Sequence, residues 1–165
     1  MPDSLIIFVA KYVYVVSVAL FIGYGLFTKR RTEFLLFALL VLPVSFLLSV
    51  LAGHLFYDPR PFVSEGLTPL IAHAADNGFP SDHALLTGTL AAIATPFSFS
   101  VGALLWVLAI LVGSARVLAH VHHTIDIVGS YAVAAVSASL MYPLLRKLRD
   151  PFARALKKLF KISPA

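Results

Sequence analysis

Long apolar runs alternate with short polar stretches along this chain, and most of the runs are long enough to cross a membrane as helices. A bilayer core about 30 Å thick requires about 20 apolar residues in a helix. Five runs approach or reach that length: residues 5–27, 34–55, 83–97, 101–118 and 125–145. The third run is short for a span. The pattern predicts an all-α integral membrane protein with five transmembrane helices in one bundle.

The polar segments between and after these runs leave too little room for a separate soluble domain. Residues 57–82 form the longest polar stretch, and their many Pro and Gly residues favour turns over a long helix. Residues 146–165 form a basic tail with apolar side chains on one helical face, as in helices that lie on a membrane surface. We therefore predict one membrane-embedded domain over residues 1–165, with an outer loop at 57–82 and a cytoplasmic amphipathic tail at 146–165.

The overall composition is typical of a membrane protein. The charge distribution and the absence of cysteine exclude several kinds of partner and site. Of the 165 residues, 59% are hydrophobic and 13% are charged, whereas a soluble domain is about 45–50% apolar and about 25% charged. The net charge is +5, but no basic stripe interrupts the apolar runs, so we expect no nucleic-acid partner. The chain has no cysteine, which excludes disulfides, thiolate metal sites and cysteine nucleophiles.

The basic residues are distributed unevenly, and their distribution predicts an orientation. Short loops on the cytoplasmic side of a membrane carry an excess of Lys and Arg. With five spans, ten of the 13 Lys and Arg residues fall on one side, in the hinge at 28–33 and in the tail. We therefore predict a multi-pass protein of the inner or plasma membrane with its N-terminus outside and its C-terminus in the cytoplasm.

The predicted outer side collects ionisable residues that are costly at membrane depth, and the spacing of three of them indicates chemistry. His122 and Asp126 are four residues apart, so on a helix they share a face and the carboxylate can orient the imidazole. An oriented imidazole is a better nucleophile. Arg116 precedes His122 by six residues, which is about 240° of rotation on a continuous helix. Both reach the same point only if the chain breaks at 119–122.

Two further clusters lie on the same predicted face. Ser81 suits the N-cap of the third run, and a helix N-terminus is also an anion site. Capping alone leaves the adjacent His83 unexplained. Arg60 lies between two prolines and presents a bidentate donor on a stiff segment, which suits phosphate recognition, although an interfacial anchor is an alternative.

Together these residue types make a metal-free site for phosphoryl transfer. Arginines would neutralise phosphate oxygens, one histidine would attack phosphorus, and the second would protonate the leaving oxygen. Water would then hydrolyse the phosphohistidine. We expect no metal ion and no cofactor.

Three segments resemble, in the same order, the signatures of the type-2 phosphatidic-acid phosphatase superfamily. The spacing of Arg116, His122 and Asp126 resembles the third signature, and Arg60 with its following proline resembles the end of the first. Residues 80–83 (Pro-Ser-Asp-His) resemble the second signature, which usually has Gly at the third position. The Asp variant is similar to the bacitracin-resistance type of undecaprenyl-diphosphate phosphatase.

The resemblance implies a role for each matching residue. It implies a metal-independent lipid phosphatase or diphosphatase whose site faces the extracytoplasmic side, where a lipid substrate enters from the membrane. Undecaprenyl diphosphate or a similar isoprenoid diphosphate, converted to the monophosphate, is the expected substrate; phosphatidic acid and phosphatidylglycerol phosphate are alternatives. By this resemblance His122 is the nucleophile, Asp126 its orienting partner and His83 the general acid, and Arg60, Arg116 and Ser81 bind phosphate.

The chain departs from the family pattern at the start of the first signature. The family has Lys where this chain has Gly53, and the next residue is His54. Either His54 replaces the lysine as a phosphate ligand with a shift of one residue, or the basic contact is lost. The spacing of His73, in the outer loop, indicates no role.

Two classes of protein without phosphatase activity remain as alternatives. A membrane haem protein would explain His83 and His122 as paired ligands, but it would leave the two arginines and Asp126 unexplained. A non-enzymatic bundle that binds anionic lipid would show binding without turnover.

Overall fold

The computed structural model describes residues 2–159, apart from the side chain of Lys157. No β-strand occurs in this part of the chain, where residues 59 and 77 form an isolated bridge. The prediction of an all-α protein is confirmed. The six helices of the described residues are α1 (Asp3–Phe27), α2 (Arg31–Leu55), α3 (Pro61–Ser64), α4 (Asp82–Ala94), α5 (Phe99–Leu118) and α6 (Thr124–Leu159).

Helices α1, α2, α5 and α6 are long and apolar enough to cross a membrane. Their large apolar side chains are widely exposed, as in Phe46 and Leu47 of α2, each 63% exposed. Such exposure suits a lipid-facing surface and would be unusual in a soluble protein. The protein is therefore multi-pass, but the predicted count of five spans is not confirmed, because α4 is much shorter.

Helix α4 has 13 residues, which is about 20 Å at about 1.5 Å per residue. It ends at Ala94, before the end predicted at residue 97, and Pro96 has no N–H with which to continue the helical hydrogen bonds. Ten of the 13 residues are buried, and many are Ala, Gly or Thr. Small side chains allow close packing, so α4 lies at the centre of the bundle in contact with α1, α2, α5 and α6.

Two apolar clusters hold the helices and the long loop together. The larger one joins α2, α4, α5 and α6, and its fully buried members include Phe37, Ile93 and Leu105. The smaller one includes Ile6 of α1 and Ile71 of the loop between α3 and α4. It therefore packs that loop, residues 65–81, against the bundle.

The predicted basic tail begins inside a helix. Helix α6 continues without interruption from Thr124 to Leu159, so residue 146 is not a helix boundary. Residues 160–165 of the predicted tail lie outside the described residues.

Candidate active site

The predicted helix break between Arg116 and His122 is confirmed. Helix α5 ends at Leu118, and His120 has a φ of 59°, in the left-handed region. The N–H of His120 donates to the carbonyl of Val117 (2.9 Å) and the N–H of Val121 donates to that of Arg116 (3.3 Å). These two bonds form a Schellman ending. The turn reverses the chain, so His122 lies within electrostatic range of Arg116.

His122 has the hydrogen-bond arrangement of an activated nucleophile. Its Nδ1 lies 3.1 Å from Oδ2 of Asp126, which is fully buried, and its Nε2 lies 3.2 Å from Nη1 of Arg60. Because Nη1 of Arg60 also lies 3.5 Å from Nδ1, the guanidinium lies over the imidazole ring. The carboxylate of Asp126 can only accept, so Nδ1–H donates to it and Nε2 of the neutral ring carries the free lone pair. Burial lowers the pKa of His122 and the bond to Asp126 opposes this effect. The imidazole is therefore neutral near pH 7, with its Nε2 lone pair available.

Arg60 is fixed between the loop and the turn. Its Nε donates to Oδ1 of Asp76 (2.7 Å), and Nη1 donates to the carbonyl of Val121 (2.7 Å). The bond from Arg60 lowers the pKa of Asp76, which therefore stays ionised at neutral pH. Sequence reasoning missed Asp76, because the Asp-Asn-Gly segment at 76–78 was interpreted only as a turn.

Asn77 fastens this loop to the end of α2. Its Nδ2 donates to the carbonyls of Gly53 (2.9 Å) and Phe56 (3.0 Å), and its Oδ1 accepts from the N–H of Asp58 (2.9 Å). At the adjacent Gly78, a Cβ would lie 2.9 Å from Oδ2 of Asp126 and 3.1 Å from the carbonyl of Asp58. Only glycine allows the loop to approach the site this closely.

Two predicted phosphate ligands are buried with polar atoms that have no partner among residues 2–159. These atoms are Oγ of Ser81 and Nε of Arg116. Ser81 is the N-cap residue of α4, as predicted, but its hydroxyl makes no capping bond. The capping explanation therefore does not account for its side chain. Since a buried unsatisfied donor is costly, an anion bound here would stabilise both groups.

His83 lies in the first turn of α4 and is partly buried. Its ring packs edge-to-face against Tyr14 of α1, with 5.0 Å between the ring centroids. Both Arg116 and His122 lie within electrostatic range of its ring. The structure thus places the predicted general acid near the predicted nucleophile, and Tyr14 is a neighbour that the sequence did not indicate.

The role of His54 stays a prediction. The side chain is exposed, and its Nδ1 lies 2.7 Å from the carbonyl of Val50 in its own helix. It also lines a cavity of about 350 Å³ together with Arg60 and Asp76. His54 is therefore at the rim of the site, while its ring is engaged by α2.

A second polar cluster lies beside the nucleophile. Nδ1 of His123 lies 2.8 Å from Asp58 Oδ2, and its Nε2 lies 3.1 Å from Glu65 Oε1. Partial burial opposes protonation, but these two carboxylates raise the pKa of His123. Ligand atoms of Asp58, His123 and Asp126 lie within 4.8 Å of one another, as a metal site would require. All three side chains are, however, already engaged in hydrogen bonds within the protein.

The fold and this site define a membrane phosphatase. Residues 33–150 match the family model of the PAP2 superfamily, and the chain belongs to that superfamily. It is a lipid phosphatase, which decides against the haem-binding and non-enzymatic alternatives.

Individual proteins support the assignment. The chain is 30% identical over 162 residues to undecaprenyl-diphosphatase BcrC of Bacillus subtilis (strain 168), covering 96% of this chain and 82% of that protein. It is 27% identical over 150 residues to bacitracin transport permease protein BcrC of Bacillus licheniformis, covering 90% and 74%. The crystal structure of Aquifex aeolicus LpxE matches with a TM-score of 0.68 at 21% identity, covering 85% of this chain and 86% of that one. The last match confirms the fold.

Proposed function

We propose that this protein hydrolyses undecaprenyl diphosphate, or a similar isoprenoid diphosphate, to the monophosphate and inorganic phosphate. The observation that carries the proposal is the arrangement at His122. Its Nδ1 is held by the buried Asp126, and its Nε2 faces the guanidinium of Arg60 at 3.2 Å. The likeness to the Bacillus subtilis undecaprenyl-diphosphatase supports this substrate over phosphatidic acid and phosphatidylglycerol phosphate.

In the first step, Nε2 of His122 attacks the terminal phosphorus and the bond from phosphorus to the bridging oxygen breaks. Arg60, Arg116 and Ser81 bind the phosphoryl oxygens, where negative charge must be neutralised. His83 protonates the oxygen that leaves with the lipid monophosphate. Asp126 stabilises the positive charge that develops on the imidazole ring.

In the second step, water attacks the phosphorus of the phosphohistidine. His83, which has lost its proton in the first step, accepts a proton from this water. The bond between phosphorus and Nε2 breaks, inorganic phosphate leaves, and His122 returns to its neutral form. The proton balance closes over the two steps, and the scheme requires no metal ion or cofactor.

Two adjoining cavities support entry of the lipid from the side. The cavity of about 350 Å³ beside Arg60 and a second of about 410 Å³ between α2 and α4 are both lined by Phe46 and Asp82. The second is mainly apolar, with Leu42 and Leu85 in its wall. A lipid that enters past Arg60 through the first cavity would leave its hydrocarbon chain in the second, in contact with the membrane.

We propose the topology that the basic residues predict, with α4 as a short fifth crossing segment. The N-terminus and the 57–82 loop would be extracytoplasmic, and residues 146–159 would follow the cytoplasmic leaflet of the inner or plasma membrane. The site then lies at the outer surface within a single domain over residues 1–165. Because α4 is short and carries His83 in its first turn, the site would lie close to headgroup depth.

The test is phosphate release from undecaprenyl diphosphate in detergent without added metal. We expect His122→Ala to lower kcat/KM by at least about 10⁴-fold, because no other group replaces the nucleophile. His122→Asn provides a second variant that keeps a donor for Asp126 and should be equally inactive. A labelled terminal phosphate should also become bound to wild-type protein through an acid-labile, base-stable bond.

Retained turnover in both His122 variants would refute the mechanism. Faster turnover of phosphatidic acid or phosphatidylglycerol phosphate than of the diphosphate would leave the mechanism intact but change the substrate.

A further inference from the structure

His73, to which the sequence gives no role, lies beside the nucleophile. The centroids of the rings of His73 and His122 are 6.1 Å apart, and the rings meet edge-to-face at 76°. His73 is exposed on the outer side. Partial burial lowers its pKa, and the positive charges of Arg60 and Arg116 lower it further. His73 therefore lies beside His122 and within electrostatic range of the two arginines that are proposed to bind phosphate.

The backbone of the loop determines this position. On one side of His73, the N–H of Leu70 donates to the carbonyl of Ala119 (3.1 Å). On the other side, the carboxylate of Asp76 accepts from Arg60 (2.7 Å). Both contacts join the loop to residues that surround the nucleophile. The ring of His73 is thus held over the site between two anchors rather than at the free tip of a loop.

The loop packs closely on the position that carries lysine in the family. A Cβ at Gly53 would lie 3.1 Å from the carbonyl oxygen of Phe79, which is tighter than an ordinary contact, and 3.5 Å from the ring of Pro80. A lysine here would require the loop backbone to shift by a few tenths of an ångström. The next residue, His54, is engaged by the carbonyl of Val50. Neither Gly53 nor His54 therefore presents a free basic group to the site from α2.

We propose that His73 is a phosphate-binding residue, which supplies from the outer loop the contact that the family's lysine supplies from α2. The assignment rests on the proposed function. Beside a phosphoryl group held by two arginines, the imidazole can donate an N–H to an oxygen of the terminal phosphate. The negative charge of the phosphate would favour the protonated ring and strengthen this bond.

The experiment compares His73→Ala, His73→Gln and His54→Ala, with Ala74→Ser as a control on the same exposed loop. We expect His73→Ala to lower kcat/KM for undecaprenyl diphosphate by about 10- to 100-fold, mainly through a higher KM. His73→Gln retains an N–H donor and should recover part of the loss. His54→Ala should cause the smaller fall of the two histidine truncations, and Ala74→Ser should leave activity unchanged.

A second measurement does not depend on turnover. Inorganic phosphate should raise the thermal unfolding midpoint of the wild type in detergent, and His73→Ala should require about 10-fold more phosphate for the same shift. If His122→Ala abolishes turnover while both His73 variants match the wild type in turnover and phosphate binding, this inference is wrong and the proposed function stands. A loss confined to His54→Ala would also overturn it.

Failure of the proposed function can also be distinguished from failure of this inference. If the wild type releases no phosphate from any of the three lipids, the proposed function fails. Weakened phosphate binding in His73→Ala would then still support His73 as a phosphate ligand.

Discussion

The two arginines of the site are alike in burial and opposite in their surroundings. Arg60 is 5% exposed and Arg116 is 3% exposed. Arg60 donates to the carboxylate of Asp76 and to the carbonyl of Val121. Arg116 forms no ion pair with the described residues, and its Nε has no hydrogen-bond partner there. One guanidinium is held by the protein, and the other is not.

This difference separates two tasks that a phosphate site must perform. Arg60 is already oriented towards Nε2 of His122, so its contribution is geometric and its charge is partly neutralised by Asp76. Arg116 keeps its full charge in a buried position, where an uncompensated cation is costly. A bound phosphate removes that cost, so its negative charge stabilises Arg116 more than it stabilises Arg60. Such an interaction accelerates the reaction to the extent that it strengthens further as negative charge develops on the phosphoryl oxygens in the transition state.

Arg116→Met should cause the larger loss of activity. We expect kcat/KM to fall by about 10³-fold, because a buried charge that faces the developing negative charge is removed. The thermal unfolding midpoint without substrate should stay the same or rise, because a buried unpaired cation is replaced by an apolar side chain of similar length. A clear drop in the unfolding midpoint would show that Arg116 has structural partners, and it would refute the contrast drawn between the two arginines.

Arg60→Met should have a smaller effect on activity and a larger one on stability. We expect kcat/KM to fall by about 10²-fold, since part of the charge of Arg60 is already balanced by Asp76. The free energy of unfolding should fall by about 1–3 kcal/mol, because the carbonyl of Val121 loses its buried donor. Chemical denaturation in detergent measures the second quantity. Equal destabilisation by both Arg→Met variants would contradict the assignment.

The smallest expected effect concerns how kcat/KM depends on pH. Burial lowers the pKa of His122 below the ordinary 6.5, and the charges of Arg60 and Arg116 lower it further. Attack requires the unprotonated ring, so the acid limb of kcat/KM should lie below pH 6.5, while the requirement for a protonated His83 sets a separate basic limb. Removing a positive neighbour raises the pKa of His122, so Arg60→Met should move this acid limb to higher pH. If the acid limb of Arg60→Met stays in place or moves to lower pH, this result would contradict the close contact between Arg60 and His122.

Local spacing made part of the site predictable. The four-residue interval between His122 and Asp126, and the required break after Arg116, depend on helix geometry over a few residues. Both are found in the structure. The position of Ser81 at the start of α4 was predictable for the same reason, although its hydroxyl does not cap the helix.

The rest of the site depends on contacts between segments that are far apart in the sequence. The spacing of residues along the chain does not predict such contacts. The approach of Asp76 to Arg60 and of His73 to His122 follows from how the 65–81 loop is fastened to α2 and to the turn after α5. In the sequence these residues look like ordinary members of a turn-rich stretch. Likewise, hydropathy alone did not distinguish the buried α4 from a lipid-facing span. What distinguishes it is the packing of four neighbouring helices around small side chains.

The short, enclosed α4 also has a consequence for biosynthesis. A segment of 13 residues is too short to enter the bilayer on hydrophobicity alone. It would have to wait in the insertion machinery until α5 and α6 emerge and surround it. His83 would then reach His122 only after the last helix has been made. An unfinished chain would thus meet the membrane without being able to cleave its lipids, and catalytic competence would appear only in the fully assembled protein.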